Sequence, residues 1–91
     1  MELNINVAVE NISFGGRATR IILDGRTYAI MFTIETAKKL TEITGKQQFT
    51  CVTCNFFGGT MLIDDPTSGY IFTFSSLYPG YELTSYRKRS S

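Results

Sequence analysis

Residues 47 to 63, QQFTCVTCNFFGGTMLI, decide the fold. Gln47 to Phe57 is rich in Thr, Val and Phe, residues that fit a pleated, half-buried surface. Gly58-Gly59 then offers two residues without the Cβ that opposes a tight turn, and Thr60 to Ile63 returns as a short apolar stretch. The segment reads as strand, turn, strand, closed by the turn-forming run Asp64-Asp65-Pro66-Thr67-Ser68-Gly69. The same order occurs upstream, where Ser13-Phe14-Gly15-Gly16 leads into Arg17 to Leu23 and then Asp24-Gly25. Neither glycine pair has the spacing of a phosphate-binding loop and neither precedes a helix, so both read as hairpin corners.

Toward the N-terminus, Leu3, Ile5, Val7 and Val9 alternate with Asn4, Asn6, Ala8 and Glu10, a half-buried strand by period. The phase slips at Asn11 before Ile12 and Phe14, which predicts a bulge or bend there. Asp24-Gly25 predicts a type I′ hairpin, followed by a strand over Thr27 to Phe32 with Tyr28, Ile30 and Phe32 on one face. The period then becomes helical over 34–44. Thr33 is placed to cap, Glu35 lies in the first turn, and Gly45 ends the helix. Ile34, Ala37, Leu40 and Thr44 fall on one side with Ile43 at its edge, opposite Glu35, Lys38, Lys39 and Glu42. Tyr70 to Ser75 is the last regular strand, with Tyr70, Phe72 and Phe74 on one face. Past Leu77 the alternation breaks. Tyr78 to Tyr81 reads as a turn or irregular arm, Thr84 to Tyr86 as a brief edge pairing, and the final Arg-Lys-Arg-Ser-Ser as a loose tail.

The predicted architecture is α+β in the order βββ-α-βββ: an antiparallel sheet of five or six strands with one helix on one face. The domain is expected over residues 1–77, with a Tyr-rich arm and basic tail over 78–91. A chain of 91 residues makes one domain, and a hydrophobic fraction of 43% is enough for a core and argues against disorder. A sheet of this kind leaves either its far face or an edge to be covered.

Nine Lys and Arg against eight Asp and Glu give a net charge of +1, so no global field draws the chain to nucleic acid or membrane. The apolar runs are too short to span a bilayer, and no membrane partner is expected. Met1-Glu2-Leu3-Asn4 lacks the basic and apolar regions of a secretion leader, so a cytoplasmic setting with reduced thiols is the expectation.

The chain has no histidine, which removes Ser-His-Asp and Cys-His catalysis and His-ligated metal sites. Cys51-Val-Thr-Cys54 has the spacing of half a zinc site or of a redox pair. Zinc needs about four ligands, and no second pair is present. Redox pairs usually open a helix, whereas this one lies in a strand, where positions i and i+3 point to opposite faces. Two small, inert thiols are therefore expected, with no cofactor and no metal. Asp64-Asp65 and Asp24-Gly25 read as turn residues rather than acid pairs.

The features left over are charged and aromatic. Arg17, Arg20 and Arg26 flank the first hairpin; Tyr78, Tyr81, Tyr86 and Arg87 mark the C-terminal end. Tyr and Arg are enriched at protein interfaces, so these residues are the candidate partner interface. The expected function is a non-enzymatic protein-binding module that occupies a partner protein's surface. Small stand-alone inhibitors such as phage-encoded anti-defence and anti-CRISPR proteins are of this size and kind. Self-association through an uncovered strand edge or the Tyr arm is expected alongside. The alternative is a nucleic-acid-binding module using Arg17, Arg20, Arg26 and the basic residues 87–89; a second is a metal or redox protein centred on Cys51 and Cys54.

Overall fold

The structure is a computed structural model that describes residues 5–15, 17–78 and 80–89. Leu3, the second glycine of the first corner (Gly16), Pro79 and the last two serines lie outside the described residues. The elements follow in the order β1 (Ile5–Ser13), β2 (Thr19–Leu23), β3 (Arg26–Ile30), α1 (Ile34–Thr44), β4 (Gln48–Phe57), β5 (Thr60–Asp65), β6 (Tyr70–Leu77) and β7 (Gly80–Lys88). A five-stranded antiparallel sheet has the order β1-β4-β5-β6-β7, while β2 and β3 form a separate two-stranded hairpin. The α+β expectation holds, with one more strand than predicted after the helix.

Turn chemistry sets the connections. Asp24 and Gly25 both have positive φ, 50° and 76°, as a type I′ turn requires between the paired Leu23 and Arg26. Gly58 at φ 59° closes β4 onto β5 between Phe57 and Thr60. Asp64 and Asp65 belong to β5 rather than to the turn that follows. Asp65 is buried, and its Oδ1 accepts the Thr67 N–H at 3.1 Å, so its side chain starts the turn from inside the strand.

The slip predicted in β1 is a bend shared by two strands. The inward phase of β1 steps from Val9 to Ile12, and β4 makes the matching step from Val52 to Phe49, with Val9 opposite Val52 and Ile12 opposite Phe49. No residue is added to either strand. The bend is absorbed at Cys51, which adopts φ +54°.

The core lies between the inner face of the large sheet and a second layer made by α1 and the β2–β3 hairpin. Val52, Cys54, Met61, Ile63, Phe72 and Phe74 face inward from the sheet; Ile21, Leu23, Ile30 and Leu40 meet them from the second layer. The helix begins and ends as predicted, with Thr33 as N-cap and Gly45 at φ 70°. Its buried side differs. Ile34 is 77% exposed, whereas the polar Thr36 is 3% exposed. The reason is tertiary: Thr36 Oγ1 accepts the Leu83 N–H at 2.9 Å and is also bonded by the Thr33 hydroxyl at 2.9 Å.

Over the described residues, the segment expected as an irregular arm and loose tail forms an edge strand, β7. Leu77 pairs with Gly80, Lys88 pairs with Tyr70, and the Arg89 N–H donates to Gly69 O at 2.8 Å. The first half of β7 is guarded on its outer side. The Tyr81 N–H donates to Met31 O at 2.8 Å and Tyr81 O accepts the Thr33 N–H at 3.0 Å, so Phe32 forms a bridge to β7 beyond the end of β3. Gly80 makes this approach feasible, since a Cβ there would overlap the Met31 carbonyl.

Two substitutions test this closure. Thr36→Val keeps the side-chain volume but strands the Leu83 N–H, with an expected loss of about 1–3 kcal/mol, while Thr36→Ser retains most of the stability. Gly80→Ala forces Met31 away from β7 and is expected to lose about 1–3 kcal/mol. Urea denaturation measures both; a Thr36→Val protein as stable as the parent would show that the bond adds nothing.

Candidate protein-binding face

The large sheet has one covered face and one open face. Three side chains on the open face break the polar pattern that water contact favours. Phe57 on β4 lies diagonal to Leu62 on β5, since Leu62 pairs with Asn55 and Phe57 with Thr60. Leu62 in turn lies diagonal to Ile71 on β6, since Thr73 pairs with Leu62 and Ile71 with Asp64. Diagonal neighbours in an antiparallel pair are within reach of large side chains. The three residues line one shallow depression of about 410 Å³ together with Asn6, Asn55 and Arg87. Charge collects at one end, where Arg87 pairs with Ile71 across β6–β7 and Arg89 Nε lies 2.9 Å from Asp64 Oδ1.

Of the residues nominated from the sequence, Arg87 belongs to this face and the rest do not. Arg20 pairs with Ala29 and Arg26 with Leu23, so these two arginines lie on opposite faces of the small hairpin; Arg17 is exposed ahead of β2. Arg20 also lies on the face opposite Tyr28, which breaks up a basic and aromatic surface built from that pair. Tyr81 is half-buried against the core, and burial raises its hydroxyl pKa. Tyr86 lies on the inner face of β7 beside Tyr70 and Phe72, with ring centroids 5.6 and 6.0 Å away. It borders a groove of about 490 Å³ between β7 and α1. Tyr78, at 95% exposure, stands alone in the β6–β7 turn. The three tyrosines therefore do not form one arm surface.

Phe57, Leu62 and Ile71 had a signal in the sequence. A strand with one face in water alternates, yet Phe56-Phe57, Met61-Leu62-Ile63 and Tyr70-Ile71-Phe72 are unbroken apolar runs. Each of these central strands carries one apolar residue in the outward phase.

The cysteines diverge as expected. Cys51 is exposed at the bend, whereas Cys54 is fully buried. Desolvation pushes the Cys54 thiol up to about 12. The unfolded chain ionises this thiol from about pH 9, so its contribution to stability is complete below that pH and is lost as pH rises toward 12. Chemical denaturation across this range is expected to show a steeper alkaline loss for the parent than for Cys54→Ala. In the folded protein at neutral pH, a thiol reagent is expected to modify Cys51 alone; equal labelling of both residues would contradict the burial.

Comparison with protein families, with curated proteins and with solved structures found no match to this chain.

Proposed function

We propose that the chain is a non-enzymatic protein-binding module, and that the open face of its large sheet is the surface that engages a partner protein. The observation that carries this reading is the apolar diagonal Phe57–Leu62–Ile71 on a sheet face over which no element of the described residues packs. Removing such residues from water is favourable by about 25 cal/mol per Å² of apolar area, and only what exceeds the cost of association appears as affinity. A rim of Asn6, Asn55 and Arg87 supplies directional hydrogen bonds around that apolar centre. Apolar residues inside a polar rim are the usual anatomy of a protein interface, and Arg is enriched among its dominant contacts. Occupancy alone is sufficient for function on this reading. A small inhibitor of the kind phage use against host defences is its simplest form.

The test is affinity capture with the tagged chain from source cells, comparing the parent with Leu62→Lys/Ile71→Lys and with Arg20→Ala. The double variant is expected to lose the parent's captured protein at least about tenfold while keeping its melting temperature, and Arg20→Ala to retain it. Unchanged capture by the double variant would remove the open face from the proposal. Binding to oligonucleotides that collapses between about 50 and 200 mM salt would replace it with phosphate recognition.

A further inference from the structure

The two edges of the large sheet are built differently. On β7, the N–H groups of Tyr81 and Leu83 are taken by Met31 and Thr36, and the strand carries Glu82, Arg87 and Lys88. On β1, residues Ile5 to Val9 read Ile-Asn-Val-Ala-Val, without a proline, a glycine or a charge. Among the described residues, the backbone hydrogen bonds of this half of β1 run to β4 alone. The small hairpin reaches only the other end of the strand, where the Ser13 N–H donates to Thr19 Oγ1 at 3.2 Å. Ile5, Val7 and Val9 pack against the core yet remain half-buried, and among the described residues no strand continues the sheet beyond them. Protein sheets rarely leave such an edge unpaired.

We propose that β1 pairs antiparallel with β1 of a second copy about a two-fold axis at Val7, joining the two sheets into one. The sequence suits self-pairing. Ile5 falls opposite Val9 of the second copy, Val7 opposite Val7, and Asn6 opposite Ala8. Apolar side chains then meet on the core side of the joined sheet and small ones on the open side. Glu10 lies outside the paired stretch of residues 5–9, which carries no charge, so no like charges meet within it. A register shifted by one residue would set the core face of one copy beside the open face of the other. An axis at Val9 would run into the bend and into β2. The pairing is short, below the roughly 1,200 Å² that separates stable from transient complexes, so dissociation falls in the micromolar to millimolar range. The proposal stands on the β1 edge and is independent of what the open face binds.

Sedimentation of the parent chain from about 10 µM to about 1 mM is expected to show monomer passing to dimer, with NMR amide shifts that follow concentration confined to residues 5–9 and their β4 neighbours. Val7→Lys and Val7→Glu each place like charges at the axis and are expected to be monomeric. Mixing the two is expected to restore dimers, because Val7 meets only its own copy in this register. A parent that stays monomeric at the highest concentration would overturn the proposal. So would a dimer whose shifts lie elsewhere, or a folded Val7→Lys protein that still dimerises. Should the Val7 variants not fold, the parent measurements decide alone.

Discussion

The aromatic cluster around Phe49 is the contact on which the two layers depend. Its ring lies 4.7 Å from Phe14, 6.2 Å from Phe32 and 5.4 Å from Phe72, centroid to centroid, and Phe32 lies a further 5.1 Å from Phe74. These rings come from the residue after β1, the segment after β3, the start of β4, and β6. Such pairs contribute about 0.5–1.5 kcal/mol each beyond their burial. The bend at Cys51 brings Phe49 into this position. Without the matched three-residue steps in β1 and β4, Ile12 and Phe49 would point to the open face, and the hairpin layer would lose its central contact.

Once Phe32 is anchored, the segment from Met31 to Thr33 lies along β7. From that placement follow the backbone bridge to Tyr81, the absence of a Cβ at Gly80, and the start of α1 at Thr33. The helix then presents Thr36 to Leu83. One buried ring thus fixes a strand edge about fifty residues away in sequence from the hairpin that supplies the bridge. A polar side chain at a buried helix position is stabilising here because its partner, an edge N–H, would otherwise be left unpaired.

What the sequence reveals divides along physical lines. Hairpin tips, helix caps and period-two strands are local, and Asp24-Gly25, Thr33, Gly45 and Gly58 declare them directly. The last strand is local too, but its pattern is interrupted. Tyr81 and Leu83 point inward, an irregularity between Thr73 and Phe74 of β6 shifts the pairing by one, and Tyr86 rather than Ser85 is then the inward residue. Spacings of two and then three read as disorder when the partner strand is unknown. Ile34 and Thr36 exchange roles for a similar reason, since the helix period alone cannot show which turn meets β7. The open-face diagonal is the intermediate case. Each extra apolar residue is visible within its own strand, but only the registers of β4, β5 and β6 place the three side by side.

The open face and the β1 edge are linked by geometry. A two-fold axis through Val7 runs perpendicular to the joined sheet, so both copies carry Phe57, Leu62 and Ile71 on the same side. A dimer of this form presents two equivalent apolar diagonals to one partner or to two. Tethered sites raise the local concentration to the millimolar range, and a pair of weak contacts gains about 10² to 10⁴ over either alone where both can engage at once. The proposed binding face of one copy centres on three apolar side chains, Phe57, Leu62 and Ile71. In the dimer we propose, doubling that face through an edge of five uncharged residues would let a partner that offers two sites stabilise the pairing of β1 and be held by it. In that proposed assembly partner binding and self-association would be coupled, each strengthening the other by the same free energy.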